Sequence, residues 1–226
     1  VVMPDGSIVL MGGYATAAPT SSVDNVNDTW RSTDNGATWV LMNASSGWTA
    51  RSDHTSVALP DGSIVLMGGQ DDGSVESGRR NDTWRSTDNG ATWTQMTANA
   101  EWTRRYVHTS VAMPDGSIIL MGGSDVTGFK NDTWRSTDYG ATWTQMTPSA
   151  GWQARTSHSS VVMTDGSIIL SGGWTGSLKN DVWRSTDNGA TWTQMNASAG
   201  WSARSEFSSV PMLDGSIVLL GGYSTT

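Results

Sequence analysis

The segment Asn81-Asp82-Thr83-Trp84-Arg85-Ser86-Thr87-Asp88-Asn89-Gly90-Ala91-Thr92-Trp93 returns almost unchanged at positions 27–39, 131–143 and 180–192. It reads as strand, tight turn, strand. Thr, Trp and Val suit a pleated strand, while Asp-Asn-Gly supplies turn chemistry and a glycine that accepts positive φ. A hairpin met four times in 226 residues commits the chain to a repeat architecture rather than to one irregular core.

Each repeat carries four strand candidates. The first is a short apolar run such as 55–59, and the second is the apolar run 64–67, which follows an Asp-Gly-Ser turn and ends in Gly-Gly. The unbroken apolar character of that second run predicts burial on both faces. The third is Asp-Thr-Trp-Arg-Ser, and the fourth, Thr-Trp-Thr-Gln-Met, alternates as a half-exposed strand does. The spacing is strict. Asp-Gly-Ser to Gly-Gly is seven residues in every copy, as from Asp61 to Gly68, and the Asn of the third strand to the next Asp-Gly-Ser is 34, as from Asn27 to Asp61. One interval varies: the second Gly to that Asn shortens from 14 (Gly13 to Asn27) through 12 and 8 to 7 (Gly173 to Asn180). All length variation thus falls between the second and third strands, where binding determinants tend to be carried.

Four-stranded antiparallel meanders in series predict an all-β propeller. It has four near-complete blades, with units of about 1–50, 51–104, 105–154 and 155–204, and a half blade at 205–226, all in one domain spanning 1–226. Both ends offer the same two strands, so they compete instead of completing one another. The reading is a segment of a larger propeller, or edges that take strands from a neighbouring copy. Twelve of the thirteen Trp sit at three fixed positions per unit and are framework, Trp174 being the exception.

A net charge of −8 argues against a nucleic-acid partner, which needs clustered Lys and Arg. No apolar run is long enough for a helical membrane span. With no Cys there is no disulfide, thiolate metal site or Cys nucleophile. Abundant Ser, Thr, Asn and Gly with little Lys point to an extracellular or cell-surface protein of a prokaryote.

The unit Arg-x-x-His-(Ser/Thr)-Ser, apolar strand, Asp-Gly, apolar strand, Gly-Gly, loop, Asn-Asp-x-Trp, eight residues, Trp resembles the kelch repeat over the whole chain. The segment Ser86-Thr87-Asp88-Asn89-Gly90-Ala91-Thr92-Trp93 is similar to the Asp-box turn of sialidases. The kelch resemblance implies an interaction platform without cofactor. It puts the Arg-x-x-His lead-in at the crossing from one blade to the next, on the face of the variable loops. Kelch enzymes resembling galactose oxidase need a Cys that is missing here, and the Arg-Ile-Pro signature of sialidases is also missing. Sialidase-like or other carbohydrate-active chemistry stays as an alternative, carried by further blades.

Asp34, Asp88, Asp138 and Asp187 are expected to be structural turn residues, too far apart to act together. His54, His108 and His158 occur once per unit, with Phe207 in the fourth, which suits hydrogen bonding at blade junctions rather than a metal set. Arg51, Arg105, Arg155 and Arg204 each follow a framework Trp by three residues. They either form a ring for an acidic peptide or a glycan, or pair with acidic neighbours. The residues that break the repeat are the better ligand candidates: Tyr14, Asp24, Asp71, Asp72, Glu76, Arg79, Arg80, Asp125, Phe129, Lys130, Trp174 and Lys179, with Tyr106, Tyr139 and Tyr223. Asn43 and Asn196 match the N-glycosylation pattern in polar connections. The expected partner is a protein or glycan on the loop face, with self-association through edge strands as a structural alternative.

Overall fold

The structure, a computed structural model, describes residues 1–17, 22–71 and 78–225; Asp72 and Glu76 therefore lie outside the described residues. The chain forms two compact units. The first is Val1–Tyr106 with Thr137–Thr142, and the second is Val107–Ser136 with Trp143–Thr226. All strand pairs are antiparallel, and no helix occurs among the described residues.

In the first unit, β1 (Ile8–Ala17), β2 (Ser22–Ser32) and β3 (Val40–Asn43) form a three-stranded sheet in chain order. The next blade follows as β4 (Thr55–Ala58), β5 (Ile64–Met67), β6 (Thr83–Ser86) and β7 (Thr94–Thr97), again in chain order. The second unit begins with β8 (Thr109–Ala112), β9 (Ile118–Met121), a short hairpin of β10 (Ser124–Asp125) and β11 (Gly128–Phe129), then β12 (Thr133–Ser136) and β13 (Thr144–Thr147). A full blade of β14 (Ser159–Val162), β15 (Ile168–Trp174), β16 (Leu178–Ser185) and β17 (Thr193–Asn196) follows. The pair β18 (Ser208–Pro211) and β19 (Ile217–Leu220) comes last.

The second strands are buried as their composition requires: Ile64, Val65, Leu66 and Met67 are all at 0% exposure. At roughly 1.5–3 kcal/mol per large apolar side chain removed from water, these four residues dominate the blade's stability. In the first unit Ile64 and Leu66 pack with Met3, Val9, Met11 and Trp48; in the second, Ile119, Met121, Ile168 and Leu170 pack with Trp152. The framework Trp meet edge to face, Trp48 with Trp93 at 6.1 Å and Trp152 with Trp192 at 6.0 Å, the arrangement that the ring quadrupole favours. The outer strands β7 and β13 differ from the alternation in their sequence. Each has two exposed residues followed by two half-buried ones, because the fourth strand carries an extra residue against the third, Met96 in β7 and Met146 in β13.

A threonine of the third strand bonds through its side chain to the following blade's turn. Thr29 Oγ1 donates to Gly90 O at 2.6 Å and Thr83 Oγ1 to Gly140 O at 2.6 Å in the first unit; Thr133 Oγ1 donates to Gly189 O at 2.7 Å in the second. The repeated Thr of Asn-Asp-Thr-Trp is thus a blade-to-blade link, a role its strand propensity does not reveal.

The Gly-Gly pair has a packing reason. A Cβ at Gly69, where φ is +93°, would lie 2.6 Å from Ser52 O and 2.7 Å from His54 Cβ, whereas Gly62 at φ +81° has open space around it. Gly62→Ala should cost only the left-handed strain of about 1–2 kcal/mol. Gly69→Ala should cost roughly 2 kcal/mol more through overpacking. Urea unfolding of both variants checks this, and equal losses would contradict it.

Candidate functional site

The Arg-x-x-His lead-in turns sharply at the residue before His or Phe. Asp53, Val107, Ser157 and Glu206 all have positive φ, between 46° and 57°. For Val107, a β-branched residue, this conformation is strained by about 1–2 kcal/mol. In the second unit the turns are stitched together: Ser157 N donates to Val107 O at 3.1 Å and Glu206 N to Ser157 O at 3.0 Å.

Within this lead-in the arginines are framework. Arg51 is fully buried and gives its guanidinium to Asp82 in a two-pronged pair of 2.6 and 2.8 Å, to Gly68 O at 2.9 Å and, through Nε, to Thr49 O at 2.9 Å. Arg155 does the same with Asp181 (2.8 and 2.7 Å), Gly172 O and Gln153 O. Each lies about 6 Å over its Trp, Arg51 on Trp48 at 6.0 Å and Arg155 on Trp152 at 5.9 Å. Arg105 is equally buried, on Trp102, with its Nε on Thr103 O. Of the two readings open in the sequence, the geometry carries the acidic pairing. The ring of ligand-binding arginines gives way, because these three groups expose no surface. Arg204 alone is half-buried, bonded to Gly221 O and Ser202.

The paired carboxylates also take the indole N–H of the strand, Trp84 to Asp82 at 2.8 Å and Trp183 to Asp181 at 2.7 Å. Burial alone would raise the pKa of Asp82; the bonds and charge of Arg51 outweigh it and hold the carboxyl below the usual range. The turn aspartates behave similarly by local bonding. Asp34 accepts from the Thr38 hydroxyl at 2.6 Å, the Thr38 N–H at 2.9 Å and the Ser32 hydroxyl at 2.8 Å. These bonds push its pKa down to about 2. Asp88 and Asp187 repeat the pattern with Thr92 and Thr191, and the Thr142 hydroxyl and N–H donate to Asp138 in the same way. The carboxylate oxygens of these four aspartates all accept hydrogen bonds within their own hairpins.

Among the described residues no group of three or more His, Asp or Glu could hold a metal. His158 is buried beside Trp152 at 6.1 Å, and its Nε2 meets Thr109 Oγ1 of the preceding blade at 2.8 Å, a junction role. Asn43 spends its amide on Ala91 O at 2.8 Å, which disfavours a glycan there; Asn196 is exposed, its Oδ1 accepting from Ser198 N.

The single-occurrence residues lie where the blades differ. Tyr14, Gln70, Ser124, Trp174 and Tyr223 all occupy the position after Gly-Gly, and aligning the units on that pair brings them into one column. Tyr14 and Trp174 are exposed (58% and 39%), and Phe129 is exposed on β11. Trp174 is held by two backbone bonds to Thr156 and pairs with Leu178 across the β15–β16 hairpin. Several charged candidates are already paired: Arg80 with Asp71, and Lys130 with Asp125 at 2.8 Å. Tyr139 lies 3.6 Å from the Arg85 guanidinium in the first unit.

Arg79 stands apart. It is 8% exposed, stacks at 4.9 Å on Tyr106, and its Nε and Nη1 have no hydrogen-bond partner among the described residues.

Four-stranded antiparallel blades, each entered through an Arg-x-x-His crossing and closed by a Trp-bearing hairpin, define a kelch-type β-propeller fold. The chain belongs to the kelch-repeat family: residues 1–222 match the KLHDC2/KLHL20/DRC7 Kelch-repeats domain. No curated protein matches it in sequence. Among solved structures it is similar to YjhT, with a TM-score of 0.77 at 13% identity, covering 100% of this chain and 76% of that one.

The buried histidines make stability pH-dependent. Desolvation, then the nearby Arg155 charge, pushes His158 down to about 3, and desolvation with Arg51 pushes His54 down to about 4. An unfolded histidine titrates near 6.5, so between pH 6.5 and 4 the unfolded chain binds more protons and stability falls as pH falls. The loss should be on the order of 2 kcal/mol per histidine. Phe207, stacked on Trp201 at 5.9 Å, shows that the site accepts a phenyl ring. The double variant His54→Phe, His158→Phe should flatten the stability profile between pH 6.5 and 4 in urea titrations, and an unchanged slope would contradict this assignment.

Proposed function

We propose that the chain is a non-enzymatic recognition module that binds an acidic segment of a partner protein through the connections between the second and third strands, with Arg79 as anchor. The two buried guanidinium nitrogens Nε and Nη1 of Arg79, which have no hydrogen-bond partner among the described residues, carry this reading. A cation buried beside an aromatic face and left without hydrogen bonds is costly, and a carboxylate from a ligand would satisfy it through paired N–H···O bonds. Kelch-repeat domains generally mediate protein binding, which supports a protein as the ligand.

A glycan is the second reading, favoured by the exposed ring of Trp174 on a rigid hairpin, a suitable stacking platform. The composition, rich in Ser, Thr, Asn and Gly and poor in Lys, supports an extracellular or cell-surface setting. The repeated Ser-x-Asp-x-Gly-x-Thr-Trp turns are Asp-boxes in this reading, and their internal hydrogen bonding supports a structural role for Asp34, Asp88, Asp138 and Asp187.

The variant Arg79→Met separates function from framework. Binding of a labelled oligo-glutamate peptide, measured by anisotropy at low salt, should weaken by about tenfold or more. The thermal midpoint should hold or rise, because a buried unpaired charge is removed. A fall in the midpoint would show that the guanidinium supports the fold instead.

A further inference from the structure

On the side of the variable connections, short ladders stitch the lead-in to the strands. In the second unit Trp174 exchanges both backbone hydrogen bonds with Thr156, at 2.9 and 3.0 Å, and pairs with Leu178 across the β15–β16 hairpin. Residues directly opposite one another in an antiparallel ladder project to the same face, so Thr156, Trp174 and Leu178 form one row. The β10–β11 hairpin extends it. Arg155 N donates to Lys130 O at 3.0 Å and Arg155 O accepts from Gly123 N at 3.0 Å, which sets Phe129, one residue before Lys130, beside Thr156, one residue after Arg155. The equivalent pair in the first unit has the same neighbourhood: Arg105 N donates to Arg80 O at 3.0 Å, and the side chains of Arg79 and Tyr106 meet at 4.9 Å.

The chemistry of the row differs between the units. Where the first unit's ladder holds Ser52, Gln70 and Arg79, the second holds Thr156, Trp174 and Leu178, with no charge among them. Exposure along the row is uneven: Phe129 and Trp174 are each 39% exposed, whereas Thr156 between them is 5% exposed. Two ladder steps of about 4.8 Å separate the two aromatic residues, about 10 Å in all, with Thr156 as the floor between two walls. Thr156 spends its backbone on Trp174, and its hydroxyl makes no hydrogen bond among the described residues. A buried hydroxyl left unpaired is unfavourable, and here a ligand hydroxyl would pair with it.

We propose that this cleft seats one pyranose ring whose hydroxyls are all equatorial, a β-glucosyl unit of a glycan, edge-on to Thr156 and sandwiched between Phe129 and Trp174; this rests on the glycan reading above and narrows it to one ring shape. A ring in van der Waals contact needs about 3.5–4 Å on either side, so two aromatic faces about 7–8 Å apart hold one ring, and the backbone separation leaves room for that. A pyranose of this configuration presents only axial C–H groups on both faces, which suit the negative faces of the two aromatic rings. Its edge carries hydroxyls, one of which meets Thr156. An axial hydroxyl, as in galactose or mannose, would be pressed against an aromatic face without a partner and is selected against. An aromatic side chain of a protein would fill the same gap but leave the Thr156 hydroxyl unpaired.

The probes are the methyl β-glycosides of glucose and galactose and the methyl α-glycoside of mannose, each titrated onto the whole protein and followed by saturation-transfer NMR. In the glucoside the protons on carbons 1, 3 and 5 lie on one ring face and those on carbons 2 and 4 on the other. Saturation of both sets is expected, with the other two sugars bound about tenfold more weakly or worse. Phe129→Ala and Trp174→Ala should each weaken the glucoside by about tenfold and confine saturation to one set. Thr156→Val should weaken it by about fivefold. Both aromatic residues are exposed, so the thermal midpoints of their variants should hold. Saturation of one set only in the unmodified protein, with Phe129→Ala silent, overturns the cleft and leaves Trp174 as a one-sided platform for glycans. Longer glycans that bind through Trp174 while no monosaccharide does overturn it in the same way. Failure of every glycan to bind removes the glycan reading together with the cleft. Competition by N-acetyltryptophanamide, with no discrimination among the sugars, overturns it in favour of an aromatic side chain of a partner protein.

Discussion

A buried arginine clamped to a buried aspartate is the contact on which the blades of β4–β7 and β14–β17 depend. Arg51 shows what the clamp joins: the lead-in through Thr49 O, the second strand through Gly68 O, and the third strand through Asp82, whose carboxylate in turn fixes the Trp84 indole. One guanidinium therefore ties together three segments that are distant in sequence. An isolated buried charge would be expensive, and the clamp is tolerable only because all its partners are in place. This demand for completeness explains why the unit recurs with so little variation in spacing: moving any one segment leaves a buried charge unmet.

The remaining repeated polar residues follow the same logic on smaller scales. Turn aspartates satisfy N–H and hydroxyl groups within their own hairpin, and threonines after Asn-Asp carry the bond to the next turn. The Gly-Gly pair lets the lead-in pass within van der Waals range of the strand. Repetition therefore marks the scaffold, and the positions free of these duties are where the units are free to differ.

Strand order, blade spacing and the place of the variable connections were legible in the sequence, because apolar runs, turn dipeptides and constant intervals are local signals. The fate of Arg51, Arg105 and Arg155 was not, since a ligand-facing ring and a buried clamp give the same periodic Arg. Deciding between them needs the position of Asp82 or Asp181, which only the folded blade brings to the guanidinium. Arg79 was one name among many in the loops; that its Nε and Nη1 meet no partner among the described residues while the side chain stacks on Tyr106 is a property of packing. The column formed by Tyr14, Trp174 and Tyr223 could have been found by aligning the units on Gly-Gly. The exposure of β19 runs against its composition, which matches that of the fully buried second strands.

A double-mutant cycle on Arg51 and Asp82, followed by urea unfolding at neutral pH, tests the clamp most directly. Asp82→Leu alone should cost about 3–5 kcal/mol by stranding the guanidinium, and Arg51→Met alone a similar amount by stranding the carboxylate. The double variant should cost much less than their sum, giving a coupling of about 2 kcal/mol or more. Losses that simply add would contradict the clamp as the contact that holds the blade.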